Sequence, residues 1–166
     1  MAQNTPPFAL AIDAMGGDSA PDVVLDGLEL AAERHPQARF LLVGDEALVA
    51  GGLARRKRAA RACSLRHAPD RIAGDLKPTA ALRLRGSSMR VAIDAVSAGE
   101  AAGIVSAGNT GALMALSKIV IKTMPEIDRP ALAAIGPSAR GDVVLLDLGA
   151  NVQCDARNLV EFAVMG

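Results

Sequence analysis

Ser106, Asn109 and Thr110 stand within one short stretch, Ile104-Val-Ser-Ala-Gly-Asn-Thr-Gly-Ala-Leu-Met114, with Gly108 and Gly111 among them. The pattern reads as a strand running into a glycine-rich turn and then into a helix. The three polar side chains donate hydrogen bonds, and the two glycines let backbone come close to a ligand. Free N–H groups and the positive end of a helix make such a turn suited to anions, phosphate in particular. A tight βα turn with Asn109 as the N-cap accounts for the same residues. Two other phosphate loops are excluded. Gly111 is followed by Ala112 and Leu113 rather than the Lys-Ser/Thr of a P-loop. The first strand leads into Met15-Gly16-Gly17-Asp18 rather than Gly-x-Gly-x-x-Gly.

Asp13 and Asp18 flank that Gly-Gly pair. Carboxylates repel a phosphate dianion, so they serve better as a base or as orienters of donor groups. Asp13 ending a strand and Asp18 capping a helix is the plain structural reading. A third strand end of the same type is Leu146-Asp-Leu-Gly-Ala-Asn151, which adds Asn151. Three such ends are expected to converge along one edge of a sheet, a stronger signal than any single one. Ser87 and Ser88, with Arg90, form either a phosphate contact or an ordinary helix cap. The basic run Arg55-Arg-Lys-Arg58 with Arg61 reads as a solvated helix face, or as a docking surface for an acidic partner or anionic lipid.

The elements that must position these groups alternate. Short apolar runs at 8–12, 39–43, 64–67, 103–106, 131–135 and 143–146 read as strands. Helical patterns lie at 21–33, 46–61 (mostly helical, with Gly51-Gly52 as a weak point or a break), 79–84, 89–97, 109–122 and 155–165. Such alternation predicts βα units and a mostly parallel sheet. The segment 68–78 reads as irregular. Nothing follows the last helix although the alternation is still in progress, so the chain is expected to be a fragment.

Composition narrows the classes further. The 166 residues suffice for one domain with a core, and 51% are hydrophobic, yet the only aromatic residues are three Phe. Eighteen basic residues balance eighteen acidic ones, so no overall field attracts nucleic acid, and no Trp or Tyr offers a stacking platform. Cys63, Cys154, His35 and His67 show no metal-ligand spacing, and the cysteines are expected to be reduced. The first seven residues lack the pattern of a signal peptide, and Lys118 and Lys122 interrupt the best apolar run.

The stretches 11–27, 41–45, 81–96, 101–115, 127–134 and 145–166 resemble, in order, the PlsX-type phosphate acyltransferase family of bacterial phospholipid synthesis. AMGGD and SAGNTGALM are the most specific of them. The resemblance implies a Rossmann-like three-layer α/β/α fold, similar to phosphotransacetylase and isopropylmalate-dehydrogenase-like proteins. Residues 1–166 would be the N-terminal part of a single such domain, about half of a family chain. It implies transfer of a fatty acyl group from acyl carrier protein to inorganic phosphate, and a membrane glycerol-3-phosphate acyltransferase that uses the acyl phosphate. It also implies a cytoplasmic homodimer with peripheral membrane contact; the chemistry demands no metal, and no cofactor is expected.

No Ser-His-Asp set, Cys-His set or G-x-S-x-G elbow is evident. Direct attack by phosphate, without an acyl-enzyme, is therefore expected. Ser106, Gly108, Asn109, Thr110 and Gly111, with Ser87 and Ser88, are the candidate phosphate ligands. Asp13, Asp18, Asn109 and Asn151 are the candidate catalytic residues. The alternatives are a non-catalytic phosphate- or nucleotide-binding module, an inert fragment of the enzyme, and a nicotinamide-dependent dehydrogenase, for which the cofactor fingerprint is missing.

Overall fold

The computed structural model describes residues 8–149, 151 and 153–166. They form two compact units, divided after Ile121. In the first unit β1 (Ala9–Asp13), α1 (Asp22–Arg34), β2 (Arg39–Gly44), α2 (Glu46–Ala54), α3 (Lys57–Ala62) and β3 (Cys63–His67) follow one another. Then come α4 (Pro78–Ala81), α5 (Ser88–Ser97), β4 (Gly103–Val105) and α6 (Thr110–Val120). The four strands pair in parallel in the order β3-β2-β1-β4.

Successive side chains on a strand point to opposite faces, so each buried strand feeds two cores. Phe40 and Leu42 of β2 pack with Leu25 and Leu28 of α1, Val49 and Leu53 of α2 and Ala59 of α3. Leu41 and Val43 pack on the other face with Ala92 and Ala95 of α5. A third cluster joins α4, α5 and α6 through Ala81, Met89, Ile93, Ala112 and Leu116. The sheet thus has helices on both faces, the three-layer α/β architecture that the alternation predicts.

The second unit contains β5 (Ala133–Ser138), β6 (Gly141–Leu146) and α7 (Ala156–Met165). Here the expectation of further parallel strands is corrected. β5 and β6 form an antiparallel hairpin of their own. β5 also runs past Ile135 through Pro137, although proline interrupts most strand patterns; in a two-stranded hairpin every strand is an edge, where proline is tolerated. Asp155 caps α7 in a reciprocal capping box with Asn158.

The break allowed at Gly51-Gly52 within 46–61 is also moved. The helix breaks at Arg55-Arg56, and Gly51-Gly52 lies inside α2. Gly52 is there because α2 meets α1: a Cβ on it would lie 2.7 Å from Cδ1 of Leu25, whereas Gly51 faces open space. The basic run is engaged by the acidic side of α1. Arg56 pairs with Asp26 at 2.8 Å and Asp22 at 3.6 Å, and Arg58 with Glu29 and Glu33, each at 3.5 Å. Glu29 also accepts the N–H groups of Arg58 and Ala59 at 3.0 and 2.8 Å, holding the start of α3 against α1.

Two consequences are measurable. Gly52→Val is expected to cost about 1–3 kcal/mol through overpacking against Leu25. Gly51→Ala is expected to stabilise by up to about 1 kcal/mol through helix propensity. Chemical denaturation giving the opposite order would contradict this packing. Burial also pushes the Cys63 thiol up from 9.0 to about 11. A raised thiol pKa contributes stability below the unfolded value and loses it as pH climbs. The denaturation midpoint of the wild type should therefore fall more steeply between about pH 9 and 11 than that of Cys63→Ala.

Candidate functional site

The strand order fixes where a ligand can enter. From β1 the chain winds outward to β2 and β3, then returns to the far side of β1 as β4. The loops after β1 and β4 therefore diverge above the sheet, and open α/β sheets bind ligands in such a crevice at the carboxyl ends of strands. The Asp13–Asp18 and Ser106–Gly111 segments lie at these two ends.

Asp13 ties the crevice together from beneath. It is buried, with 2% of its surface exposed. One carboxylate oxygen accepts the hydroxyl of Ser88 at 2.6 Å and the N–H of Met15 at 3.2 Å; the other accepts the hydroxyl of Ser106 at 2.7 Å. Ser106 in turn accepts the N–H of Gly108 at 3.1 Å. β1, α5 and the turn after β4 thus meet on one carboxylate. Gly16 passes so close that a Cβ on it would lie 2.6 Å from Asp13 Oδ2 and 2.8 Å from Ser106 Oγ.

Asn109 is engaged as fully. Its Oδ1 accepts the N–H of Ala112 at 2.9 Å, capping α6. Its Nδ2 donates to the carbonyls of Ala73, Gly74 and Leu76 at 3.2, 3.0 and 2.8 Å. Among the described residues, no partner takes the N–H groups of Thr110 and Gly111 in the first turn of α6. Thr110, together with Gly17, Asp18, Arg71, Gly108 and Asn109, borders a polar cleft of about 290 Å3.

The expected site residues thus separate into two groups. Asp18, Gly108, Asn109 and Thr110 line the cleft, with Gly111 in the turn beneath it. Asp18 is exposed and does not cap α1, whose N-cap is Pro21 without a side-chain bond. Asp13 and Ser106 join the loops from below. Ser87 and Ser88 are buried, at 0% and 1% exposure, and their hydroxyls are engaged inside the chain. Ser87 donates to the Leu84 carbonyl and caps α5 through the Arg90 N–H, so of the two readings given above the cap is the one that its geometry fits. Ser88 donates to Asp13.

Asn151 belongs to the second unit, where its N–H and its amide both reach Asp147 Oδ1, at 3.2 and 2.9 Å. Its strand end follows β6 of the antiparallel hairpin, so the three strand ends do not share one sheet.

Arg71 is the residue that sequence reasoning missed. It borders the cleft, and its guanidinium donates to the Gly17 carbonyl at 3.1 Å. It lies in the 68–78 segment, which has no periodicity to orient it. A second feature without a local signal is an apolar groove of about 390 Å3 under α1, lined by Val23, Leu28, Phe40 and Val105. Asp13 and Ala107 also line this groove, and Ala107 borders both cavities.

Comparison with known proteins adds a family. The model described as "Fatty acid synthesis protein" matches residues 8–166. A phosphate acyltransferase of Granulibacter bethesdensis is 69% identical over 163 residues, which are 98% of this chain and 44% of that protein. One of Gluconobacter oxydans is 67% identical over 96% of this chain and 43% of its own length. One of Rhodospirillum rubrum is 53% identical over 96% and 46%. The chain therefore spans less than half the length of these relatives.

The Asp13 junction predicts a graded response in stability. Asp13→Ala strands two hydroxyls and one N–H at a buried position and should cost about 3 kcal/mol. Ser87→Ala removes the cap and the bond to the Leu84 carbonyl and should cost about 1–2 kcal/mol. Urea denaturation showing Asp13→Ala to be the milder change would contradict the junction.

Proposed function

We propose that this chain, which belongs to the fatty acid synthesis protein family with the phosphate acyltransferases, supplies the phosphate-binding part of an enzyme that acylates inorganic phosphate. The donor in this reading is a fatty acyl thioester of acyl carrier protein, and the product is an acyl phosphate. The observation that carries it is the pairing of cavities. A polar cleft with free N–H groups and an arginine adjoins an apolar groove, and Ala107 is common to both. An acyl phosphate has those two halves, one anionic and one aliphatic.

The chemistry follows from what the cleft offers. Thr110 and the N–H groups at the start of α6 hold phosphate, with Gly108 giving room for it. Arg71 supplies the countercharge. A phosphate oxygen attacks the thioester carbon, the C–S bond breaks, and the electron pair leaves on sulfur. The proton lost from monohydrogen phosphate ends on the departing thiolate. Asp18, at the edge of the cleft, is the carboxylate able to relay it. Phosphate is already largely ionised near neutral pH, so no strong base and no acyl-enzyme are needed. Asp13, Ser88 and Ser106 fix the loops that present these groups. Asn151 orients Asp147 within the second unit. Among the described residues no helix is long and apolar enough to cross a membrane. Homodimerisation, peripheral membrane contact and a membrane glycerol-3-phosphate acyltransferase downstream belong to the same reading.

One assay decides between this and a non-catalytic binding module: acyl phosphate formation from acyl-carrier-protein thioester and phosphate. It should be run on this chain and on a chimera that adds the remaining length of the Granulibacter bethesdensis relative. Activity is expected in the chimera. Its absence there, with phosphate still bound, would favour the binding module. In an active chimera, Val105→Asp should raise KM for the acyl thioester about tenfold or more while leaving KM for phosphate near the wild-type value. A covalent acyl-enzyme trapped with labelled thioester would sink direct attack.

A further inference from the structure

The 70–76 segment has no regular structure of its own, yet it carries Arg71 to the cleft. It is tied at three points. At its start, the Asp70 N–H donates to the Gly86 carbonyl at 3.3 Å, and the Asp70 carbonyl accepts the Ser88 N–H at 3.0 Å. In the middle, Ile72 is buried in the cluster with Ala81 and Met89. At its end, the three carbonyls of Ala73, Gly74 and Leu76 all point at one amide nitrogen, Nδ2 of Asn109. A primary amide has two N–H bonds, so the three acceptors share them. The other half of the same amide caps α6 through Ala112. Asn109 therefore joins the segment bearing the cation to the helix whose first turn bears the free N–H donors.

Resting on the phosphate reading above, we propose that Asn109 is a positioning residue, which clamps the 70–76 segment so that Arg71 faces the anion held at the start of α6. Its side-chain polar atoms are engaged within the protein, so it acts on the anion through Arg71. Aspartate at this position would keep the cap but face three carbonyls with an acceptor, and its charge would repel phosphate directly. Serine keeps a neutral cap oxygen and removes only the donors to the strap, so Asn109→Ser isolates the clamp. Asn109→Thr serves the same purpose if the serine variant does not fold.

The test has two arms, both on the 166-residue chain. Hydrogen exchange followed by mass spectrometry reads the clamp: peptides covering 70–77 should exchange several-fold faster in Asn109→Ser, with those of α5 unchanged. Unchanged exchange over 70–77 would overturn the clamp. Isothermal titration with inorganic phosphate reads the coupling. Arg71→Ala should weaken binding about tenfold, the scale of one hydrogen bond to a charged group. Asn109→Ser should weaken it several-fold, and the double variant should match Arg71→Ala within about twofold. Additive losses would show that Asn109 acts independently of Arg71 and overturn the proposal. A wild-type chain that binds no phosphate would instead bring down the phosphate reading, and this inference with it, whatever the exchange arm shows.

Discussion

The crevice depends on one buried carboxylate. Asp13 sits at the last position of a central strand and receives donors from three parts of the chain, the farthest 93 residues away from it. A buried carboxylate without partners would be strongly unfavourable, so the three donors and the acceptor require one another. That mutual requirement sets the distance between the loop after β1 and the turn after β4. It also explains Gly16, because no side chain fits between Asp13 and Ser106. The N–H groups at the start of α6, proposed above as anion donors, are thus tied to a carboxylate that is itself buried.

Two constraints extend from that point. The sheet order puts the crevice between β1 and β4, where the winding reverses. Asn109 then joins the rim of the crevice to the segment carrying Arg71. The result is a division of labour among polar residues of similar type. Asp13, Ser87, Ser88 and Ser106 hold backbone in place. Thr110, Arg71 and Asp18 remain at the surface of the cleft.

Much of the fold was legible because periodicity encodes it directly. The apolar runs at β1, β2 and β4 and the caps at Ser87 and Asn109 are local signals, and the structure agrees with them. What a sequence cannot carry is direction after burial. Asp13 and Asp18 look alike as carboxylates beside a Gly-Gly pair, yet one is sealed beneath the loops and the other is exposed. For Ser87 and Ser88 the sequence leaves a phosphate contact and a helix cap both open, and only their partners separate them: Ser87 caps α5 and Ser88 bonds Asp13. Gly52 reads as a helix weak point, whereas it is a packing notch for Leu25. Arg71 was illegible because only long-range bonds orient it, and the β5–β6 hairpin because Ala139-Arg140 carries no turn signature and Pro137 interrupts the strand pattern.

The basic run shows the same limit from the electrostatic side. Read alone, Arg56 and Arg58 fit a solvated helix face or a docking surface. In the fold they face the acidic residues of α1, and that pairing places α3. The groups proposed to meet an anion lie at the carboxyl ends of β1 and β4. The central claim is therefore spatial: phosphate meets the start of α6 and Arg71, over a junction made by Asp13. Titrating inorganic phosphate into 15N-labelled protein and following amide and guanidinium resonances tests it most directly. The account predicts saturable shifts concentrated at Gly17, Gly108, Thr110, Gly111 and the Arg71 side chain. Shifts centred instead on Arg55, Arg58 and Arg61, or none that saturate, would contradict it.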